Sequence, residues 1–153
     1  MQHNTVAVDN SVFPAKLEFA KSFNVTVPFI DRHLEEGRGE KVIIHMHGGG
    51  VVTYATLAEH VNKAGNAFIN LGIAPGDRIL MVIKDAPEFF YTFWGAIKVG
   101  IVPVPLNTLL RAKDYTYMVD DSEAAGVIYS PEFRNEVEPA LQGARHSPHI
   151  VLP

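Results

Sequence analysis

The 153-residue sequence contains no cysteine. Disulfide bonds, thiolate catalysis, iron–sulfur clusters and zinc sites with cysteine ligands are therefore all excluded. Basic residues are also few: the chain has 13 lysines and arginines and 17 acidic residues, which gives a net charge of −4. This balance argues against nucleic acid as a partner, since affinity for its phosphate backbone comes from clustered lysine and arginine.

Long hydrophobic runs are absent as well. The longest uncharged apolar stretch is Phe89–Ile97, well short of the roughly 20 residues that a membrane helix requires, so we expect no membrane partner. The segment Met1–Asn10 is polar and lacks a basic region followed by an apolar one. We therefore expect a cytoplasmic protein.

The sequence does contain enough apolar surface for one folded domain. Its hydrophobic share of 47% excludes an intrinsically disordered chain. The length suits one domain but not two, so we treat residues 1–153 as a single unit with no second domain. Within that unit Met1–Asn24 shows little periodicity, and we predict an extended arm that packs on another part of the molecule.

Hydrophobic spacing predicts the elements that follow the arm. The first is a helix over Asn24–Arg38, where apolar residues recur every three or four positions. A β-hairpin comes next, with strands Val42–Met46 and Val51–Tyr54 on either side of the Gly48–Gly50 turn.

From Tyr54 onward, helices and strands are predicted to alternate. The helices are Tyr54–Leu71, Ala86–Val99, Arg111–Asp121 and Pro131–Leu141, and the strands are Arg78–Ile83, Ile101–Leu106, Ala125–Tyr129 and His149–Leu152. This order is typical of an α/β layer with a mainly parallel sheet. Pro103 and Pro105 cannot donate to a β-ladder, so their strand is expected at an edge. No helix follows the last strand. We therefore expect an open sheet that is completed by another chain or belongs to the N-terminal part of a longer protein.

Few motifs could carry chemistry. His45 and His47 lie two apart on a strand and could bind a metal ion, but no third ligand is near, so a solvated hairpin end is favoured. The stretch His47–Gly50 resembles the oxyanion loop of esterases, yet the chain lacks the G-x-S-x-G nucleophile motif. Both common phosphate-loop motifs are also missing.

Other polar and aromatic groups have structural explanations. The adjacent carboxylates Glu35–Glu36 and Asp120–Asp121 are interpreted as solvated helix ends. The stretch Phe89–Trp94 could line an apolar pocket, but a helix that is apolar on all sides is typical of burial between layers. Asn107–Thr108 follows a strand at its carboxyl end, a position equally consistent with a ligand contact and with a helix cap before Arg111. No catalytic, cofactor-binding or metal-binding residue is assigned from these patterns.

Three segments resemble the opening of the adenylate-forming superfamily, which includes acyl-CoA synthetases, luciferases and peptide-synthetase adenylation domains. They are Val52–Leu57, Leu71–Ile79 and Gly95–Asn107, and their order and spacing match that superfamily over about Val27–Ser130. Ile30–Lys41 and residues within Asn107–Ser122 further resemble its benzoate–CoA ligase branch. The fold implied is the N-terminal part of the adenylate-forming large domain.

This resemblance implies an enzyme that joins an aromatic carboxylate to coenzyme A in two steps. The carboxylate attacks the α-phosphorus of ATP with Mg²⁺ assisting and pyrophosphate leaves, and the thiol of coenzyme A then displaces AMP. It also implies that the phosphate loop, acid pocket, acidic Mg²⁺ ligands and catalytic lysine belong to the remainder of the large domain and to a C-terminal domain. We therefore expect residues 1–153 alone to be inactive and to bind no ATP, coenzyme A or Mg²⁺.

Two alternatives remain at this point. The substrate could be another acid, such as a hydroxylated or halogenated benzoate or a fatty acid. The chain could also be a stand-alone α/β binding module without catalysis. In addition, the uncovered helix and strand surfaces lead us to expect low stability or self-association, of which a homodimer is the simplest form.

Overall fold

The computed structural model describes residues 6–153, which begin with a hairpin. Strand β1 (Val6–Asp9) pairs antiparallel with β2 (Lys16–Phe19), and every residue of both strands is exposed. The extended arm predicted over Met1–Asn24 is thus replaced by a hairpin over most of its length, and its first five residues lie outside the described part of the chain. The apolar residues of β2 alternate with charged residues, which is the period-two signal of a strand.

A short helical segment stands where one long helix was predicted over Asn24–Arg38. A π-helical turn spans Val27–Asp31 and continues into α1 (Arg32–Glu35). The carboxamide oxygen of Asn24 accepts hydrogen bonds from the backbone N–H and the hydroxyl of Thr26, at 3.0 and 2.6 Å. The helix starts later than predicted because this side chain stabilises a turn in its place.

Two contacts attach this segment to helix α3 (Pro87–Lys98). Nδ2 of Asn24 donates to the carbonyl oxygens of Ile97 and Lys98, at 3.2 and 3.0 Å. Nζ of Lys98 lies 2.7 Å from Oδ1 of Asp31, and their side chains are only 25% and 22% exposed. The bonds from Asn24 thus give carbonyl groups at the end of α3 a partner from outside the helix.

The second hairpin confirms the prediction from the glycine-rich turn. Strand β3 (Val42–His45) pairs antiparallel with β4 (Val51–Thr53). The three residues Gly48–Gly50 have φ angles of 86°, 104° and 94°. Residues with a side chain rarely adopt such angles, so this turn requires its glycines.

Helix α2 (Tyr54–Asn70) follows directly and agrees with the predicted amphipathic helix. The hydroxyl oxygen of Thr53 accepts a hydrogen bond from the backbone N–H of Thr56 at 3.2 Å and so caps the first turn. After the helix, Gly72 adopts a φ of 81° and turns the chain toward the sheet.

The remaining strands form one parallel sheet, as the alternating pattern predicts. They are β5 (Arg78–Val82), β6 (Val102–Pro105), β7 (Gly126–Tyr129) and β8 (Ile150–Leu152), in the spatial order β6-β5-β7-β8. The proline-containing β6 lies at one edge, which confirms that prediction. Strand β8 lies at the other edge, and no strand within residues 6–153 pairs with its free side.

Helices cover both faces of the sheet. Ile79 and Met81 of β5 pack against α2, α3 and the residues around them. Leu80 and Val82 face the opposite layer, formed by α4 (Ala112–Ser122) and α5 (Arg134–Gly143). The continuous apolar run of β5 predicts this double cover.

Helices α2 and α3 touch through two glycines. A β-carbon added to Gly95 would lie 2.7 Å from Cβ of Ala64 and 3.0 Å from the carbonyl oxygen of Val61. A β-carbon added to Gly65 would lie 2.9 Å from a methyl group of Val99. The distances of 2.7 and 2.9 Å are shorter than packed side chains allow, so the close approach of the two helices depends on the absence of side chains at these glycines.

No helix within residues 6–153 combines the length and the apolar character that crossing a bilayer requires.

Candidate functional site

Polar residues lie at the carboxyl edge of the parallel sheet. Lys84 follows β5, Asn107 follows β6 and Ser130 follows β7. Because parallel strands end at the same edge, these residues lie where open α/β sheets bind their ligands. The sequence pattern pointed to Asn107 and Thr108 at this edge, although Lys84 and Ser130 carry the same signal of a polar residue after a buried strand.

Ser130 connects the ends of β5 and β7. It is 8% exposed, and its backbone N–H donates to the carbonyl oxygen of Val82 at 2.9 Å. Its hydroxyl oxygen accepts a hydrogen bond from the backbone N–H of Lys84 at 3.1 Å. This serine therefore bridges two strand ends. A nucleophilic serine would instead need a hydrogen bond from its hydroxyl to an adjacent general base, and these bonds provide none.

An ion pair crosses the same edge. Nζ of Lys84 lies 2.7 Å from Oε1 of Glu132, which belongs to the 3₁₀ turn Pro131–Phe133. The hydrogen bond between them raises the pKa of Lys84 and lowers the pKa of Glu132, so both groups stay charged near neutral pH. Their side chains are 56% and 43% exposed, and a pair this solvated contributes little to stability.

A groove of about 340 Å³ opens beside this ion pair. Lys84, Glu88, Thr92 and Ser130 provide its polar lining. The groove has the size of a small-ligand site, but this lining does not combine a nucleophile with a hydrogen-bonded base. The arrangement can contact a polar ligand and offers no group that would react with it.

Asn107 has a structural role in the loop after β6. Its Oδ1 accepts a hydrogen bond from the backbone N–H of Leu109 at 2.9 Å. Its carbonyl oxygen accepts one from the hydroxyl of Tyr115, also at 2.9 Å. Asn107 thus closes an Asx-type turn and is not the helix cap considered from the sequence.

Carboxylates from two helices cap α4 instead. Oδ2 of Asp114 accepts a hydrogen bond from the backbone N–H of Arg111 at 3.1 Å. Oε2 of Glu136, on α5, accepts one from the backbone N–H of Ala112 at 2.8 Å. Negative charge at a helix N-terminus is favourable, and here it also joins α4 to α5.

His45 and His47 lie at the exposed end of the second hairpin. Together with Asp85 they line a groove of about 410 Å³. Residues 6–153 contain no group of three histidine, aspartate or glutamate side chains placed to hold a metal ion. Both histidine side chains are exposed, so a solvated hairpin end stays the interpretation of this motif.

The glycine turn of this hairpin already uses one of its N–H groups in a hydrogen bond. The N–H of Gly49 donates to the carbonyl oxygen of Met46, and the N–H of Met46 donates to the carbonyl oxygen of Gly50, each at 3.1 Å. A phosphate cradle needs converging N–H groups that are free to donate. Since the phosphate-loop motifs are also missing, we assign no chemical step of an ATP reaction to the described residues.

One of the paired carboxylates proves to be structural. Oδ1 of Asp120 accepts hydrogen bonds from the backbone N–H groups of Arg145 and His146, at 2.7 and 2.9 Å. The bond from His146, followed by those from Arg145, holds the pKa of Asp120 below its usual value. Asp120 is only 15% exposed, so it is not a solvated helix end: it fixes the turn after α5. Glu36 does keep the solvated position and pairs with Arg38.

The aromatic residues of α3 are only partly covered. Gly95 and Ala96 are the buried residues of this helix, and Phe90 is 39% exposed. Tyr91 stacks on the ring of His60 with centroids 4.3 Å apart. The burial predicted for the whole helix is therefore incomplete within residues 6–153, because α2 and the sheet cover one side of it.

Comparison with known proteins places this fold among ligases. Residues 30–152 match the family model described as AMP-binding enzyme. The chain is 37% identical over 145 residues to the benzoate–CoA ligase of Thauera aromatica, covering 94% of this chain and 27% of that protein. It is 38% identical over 131 residues to the 4-hydroxybenzoate–CoA/benzoate–CoA ligase of Rhodopseudomonas palustris, covering 86% of this chain and 24% of that protein.

A solved structure has the same architecture. The benzoate CoA ligase from Burkholderia xenovorans LB400 aligns with a TM-score of 0.76 at 34% identity, over 86% of this chain and 26% of that chain. The chain thus spans about a quarter of the length of the relatives it matches. Its fold is that of the N-terminal part of adenylate-forming enzymes, as the sequence predicts. On these grounds the chain belongs to the AMP-binding enzyme family, whose members include acid–thiol ligases.

Proposed function

We propose that the protein is an ATP-dependent aryl-CoA ligase in which residues 6–153 act as scaffold. The observation that carries this proposal is the identity of 37% and 38%, over 145 and 131 residues, with two ligases named for benzoate or 4-hydroxybenzoate. Aromatic acids are thus favoured over fatty acids as substrates. Benzoate is the first substrate to test and 4-hydroxybenzoate the second.

The proposed reaction has two balanced steps. A carboxylate oxygen of the acid bonds to the α-phosphorus of ATP, and the bond from that phosphorus to the pyrophosphate oxygen breaks. The sulfur of coenzyme A then bonds to the acyl carbon and AMP leaves, with the thiol proton passing to solvent or to a base. Mg²⁺ would accompany ATP, and a cytoplasmic location follows from the proposal because ATP and coenzyme A are available there.

The scaffold role rests on what the carboxyl edge of the sheet contains. Ser130 and Asn107 are engaged in structural hydrogen bonds, and Lys84 is paired with Glu132. Reactive groups would therefore come from the partners expected for this chain, the remainder of the large domain and a C-terminal domain. Aromatic carboxylate binding at the active site is assigned to those parts as well.

A chimera provides the test. The matching segment of the Thauera aromatica ligase is replaced by this chain, and benzoate-dependent ATP–pyrophosphate exchange is measured together with AMP release on addition of coenzyme A. We expect the chimera to catalyse both reactions, and the isolated chain to catalyse neither.

Two controls make the result decisive. The unmodified ligase sets the reference rate, and a thermal melt shows whether the chimera is folded. A folded chimera without exchange activity would contradict the ligase proposal. Exchange by the isolated chain would contradict the scaffold role. Sedimentation of the isolated chain tests the separate prediction of self-association.

A further inference from the structure

A second groove lies between the π-helical turn, α2 and α3. Its volume is about 340 Å³, and its lining includes Phe29, Arg32, His33, Tyr54 and Trp94. None of its lining residues belongs to the groove at the carboxyl edge of the sheet. It is therefore a separate candidate site, to which the ligase proposal assigns no role.

Two stacked aromatic pairs form flat walls in this groove. The ring of Phe29 stacks on Trp94 with centroids 5.9 Å apart and planes inclined by 22°. The ring of His33 stacks on Tyr54 with centroids 3.9 Å apart and planes inclined by 14°. Phe29 remains 58% exposed despite its partner. Each stack fixes the rings before any ligand arrives, which lowers the entropic cost of binding.

Arg32 supplies a positive charge in the lining of the groove, although the whole chain has a net charge of −4. The Arg32 side chain is 55% exposed, and its Nε is 3.8 Å from Oε1 of Glu36, longer than a hydrogen bond. Glu36 pairs more closely with Arg38. Burial lowers the pKa of His33, and the charges of Arg38, Arg32 and Lys41 lower it further, while Glu36 opposes them.

We propose that this groove binds a planar aromatic anion. The ring of the ligand would contact the aromatic walls, and its carboxylate would accept hydrogen bonds from the guanidinium of Arg32. Arginine suits this contact because its planar fork matches the two oxygens of a carboxylate. A mostly apolar cleft of this size with one well-placed charge is typical of small-ligand sites.

The test uses Trp94, which is the single tryptophan of the chain. Its indole N–H gives one resolved NMR signal, and this signal is followed while benzoate is added without ATP. We expect a saturable shift with a Kd on the order of 1 mM, as suits a small ligand. Cyclohexanecarboxylate lacks the flat ring and benzyl alcohol lacks the charge, so each should bind several-fold more weakly.

Paired variants locate the site. Arg32→Gln and Phe29→Ala should each weaken benzoate binding, the former by roughly tenfold for a lost charge-assisted contact. The matched controls are Arg134→Gln, at a side chain 53% exposed, and Phe90→Ala, at a residue 39% exposed on the same helix as Trp94. Both residues lie outside the groove, so both controls should bind like the unaltered chain.

The outcomes are distinct. No saturable shift, or equal shifts with benzyl alcohol and benzoate, would overturn the proposal. Equal loss in the Arg32→Gln and Arg134→Gln variants would also overturn it, since binding would then depend only on overall charge. The chimera assay is independent of these titrations. The groove proposal can therefore be wrong while the ligase proposal is right, and the ligase proposal can be wrong while the groove proposal is right.

Discussion

The parallel sheet and the first hairpin contain similar apolar residues, yet they differ in what covers them. Ile79 and Met81 of β5 are fully buried because helices pack on both faces of the sheet. Val8 and Leu17 are paired across the β1–β2 hairpin but remain 54% and 53% exposed. Pairing of strands satisfies backbone hydrogen bonds, whereas burial requires a second layer.

The largest expected effect is the difference in the free energy of unfolding between a substitution in the sheet and one in the hairpin. Met81→Ala should lower the free energy of unfolding by about 2–5 kcal/mol, because it removes a fully buried side chain and leaves a cavity. Leu17→Ala should change it by less than about 0.5 kcal/mol, as is usual for exposed positions. Urea denaturation measures both. Similar losses for the two variants would show that an additional layer covers the hairpin in solution.

A smaller effect is expected where α2 and α3 touch. Gly95→Ala should destabilise the protein by about 1–3 kcal/mol through overpacking, partly offset by up to about 1 kcal/mol of helix propensity. Gly143→Ala in α5 is the matched control, since the nearest atom to its added β-carbon is Oγ1 of Thr116 at 3.7 Å. That control should be neutral or slightly stabilising. A Gly95→Ala variant as stable as the control would mean that the two helices can separate without cost.

The pH dependence of stability should show the smallest effect, in the partly covered N-terminal region. Burial and the nearby Arg38 and Arg32 lower the pKa of His33 in the folded protein. Nδ1 of His33 also accepts a hydrogen bond from Nε of Arg38 at 2.9 Å, which a protonated Nδ1 would lose. The folded state therefore resists protonation, and stability should fall as the pH drops below the unfolded value of about 6.5.

His33→Gln tests this expectation. The variant should lose part of the decrease in the urea midpoint between about pH 7.5 and about pH 5.5, since glutamine does not titrate. An unchanged pH slope in the variant, or a midpoint that rises on acidification, would contradict the assignment.

Local patterns predicted much of the fold. The continuous apolar run Ile79–Ile83 predicted a strand covered on both faces, and Pro103 and Pro105 predicted an edge strand. These features depend on residues that are neighbours along the chain. Strand β2 of the first hairpin carries a local signal too, in its alternating apolar and charged residues. An irregular stretch separates it from β1, so the sequence pattern predicted an extended arm and not a hairpin.

The contacts of the candidate site could not be predicted from local patterns. The contacts between Lys84 and Ser130 join residues 46 positions apart, and Asp120 binds backbone groups 25 and 26 positions away. No spacing rule predicts partners at such distances, because they depend on how strands and helices pack. The same holds for the groove at Phe29 and Trp94.

By itself the sequence determined which segments are helices and strands in the parallel layer, because hydrophobic periodicity, proline and glycine act on the backbone locally. Only the tertiary structure decided which apolar faces are covered, which carboxylates are structural and where grooves open. Those outcomes depend on contacts between distant segments, and the free energy of such contacts exists only once the layers have come together.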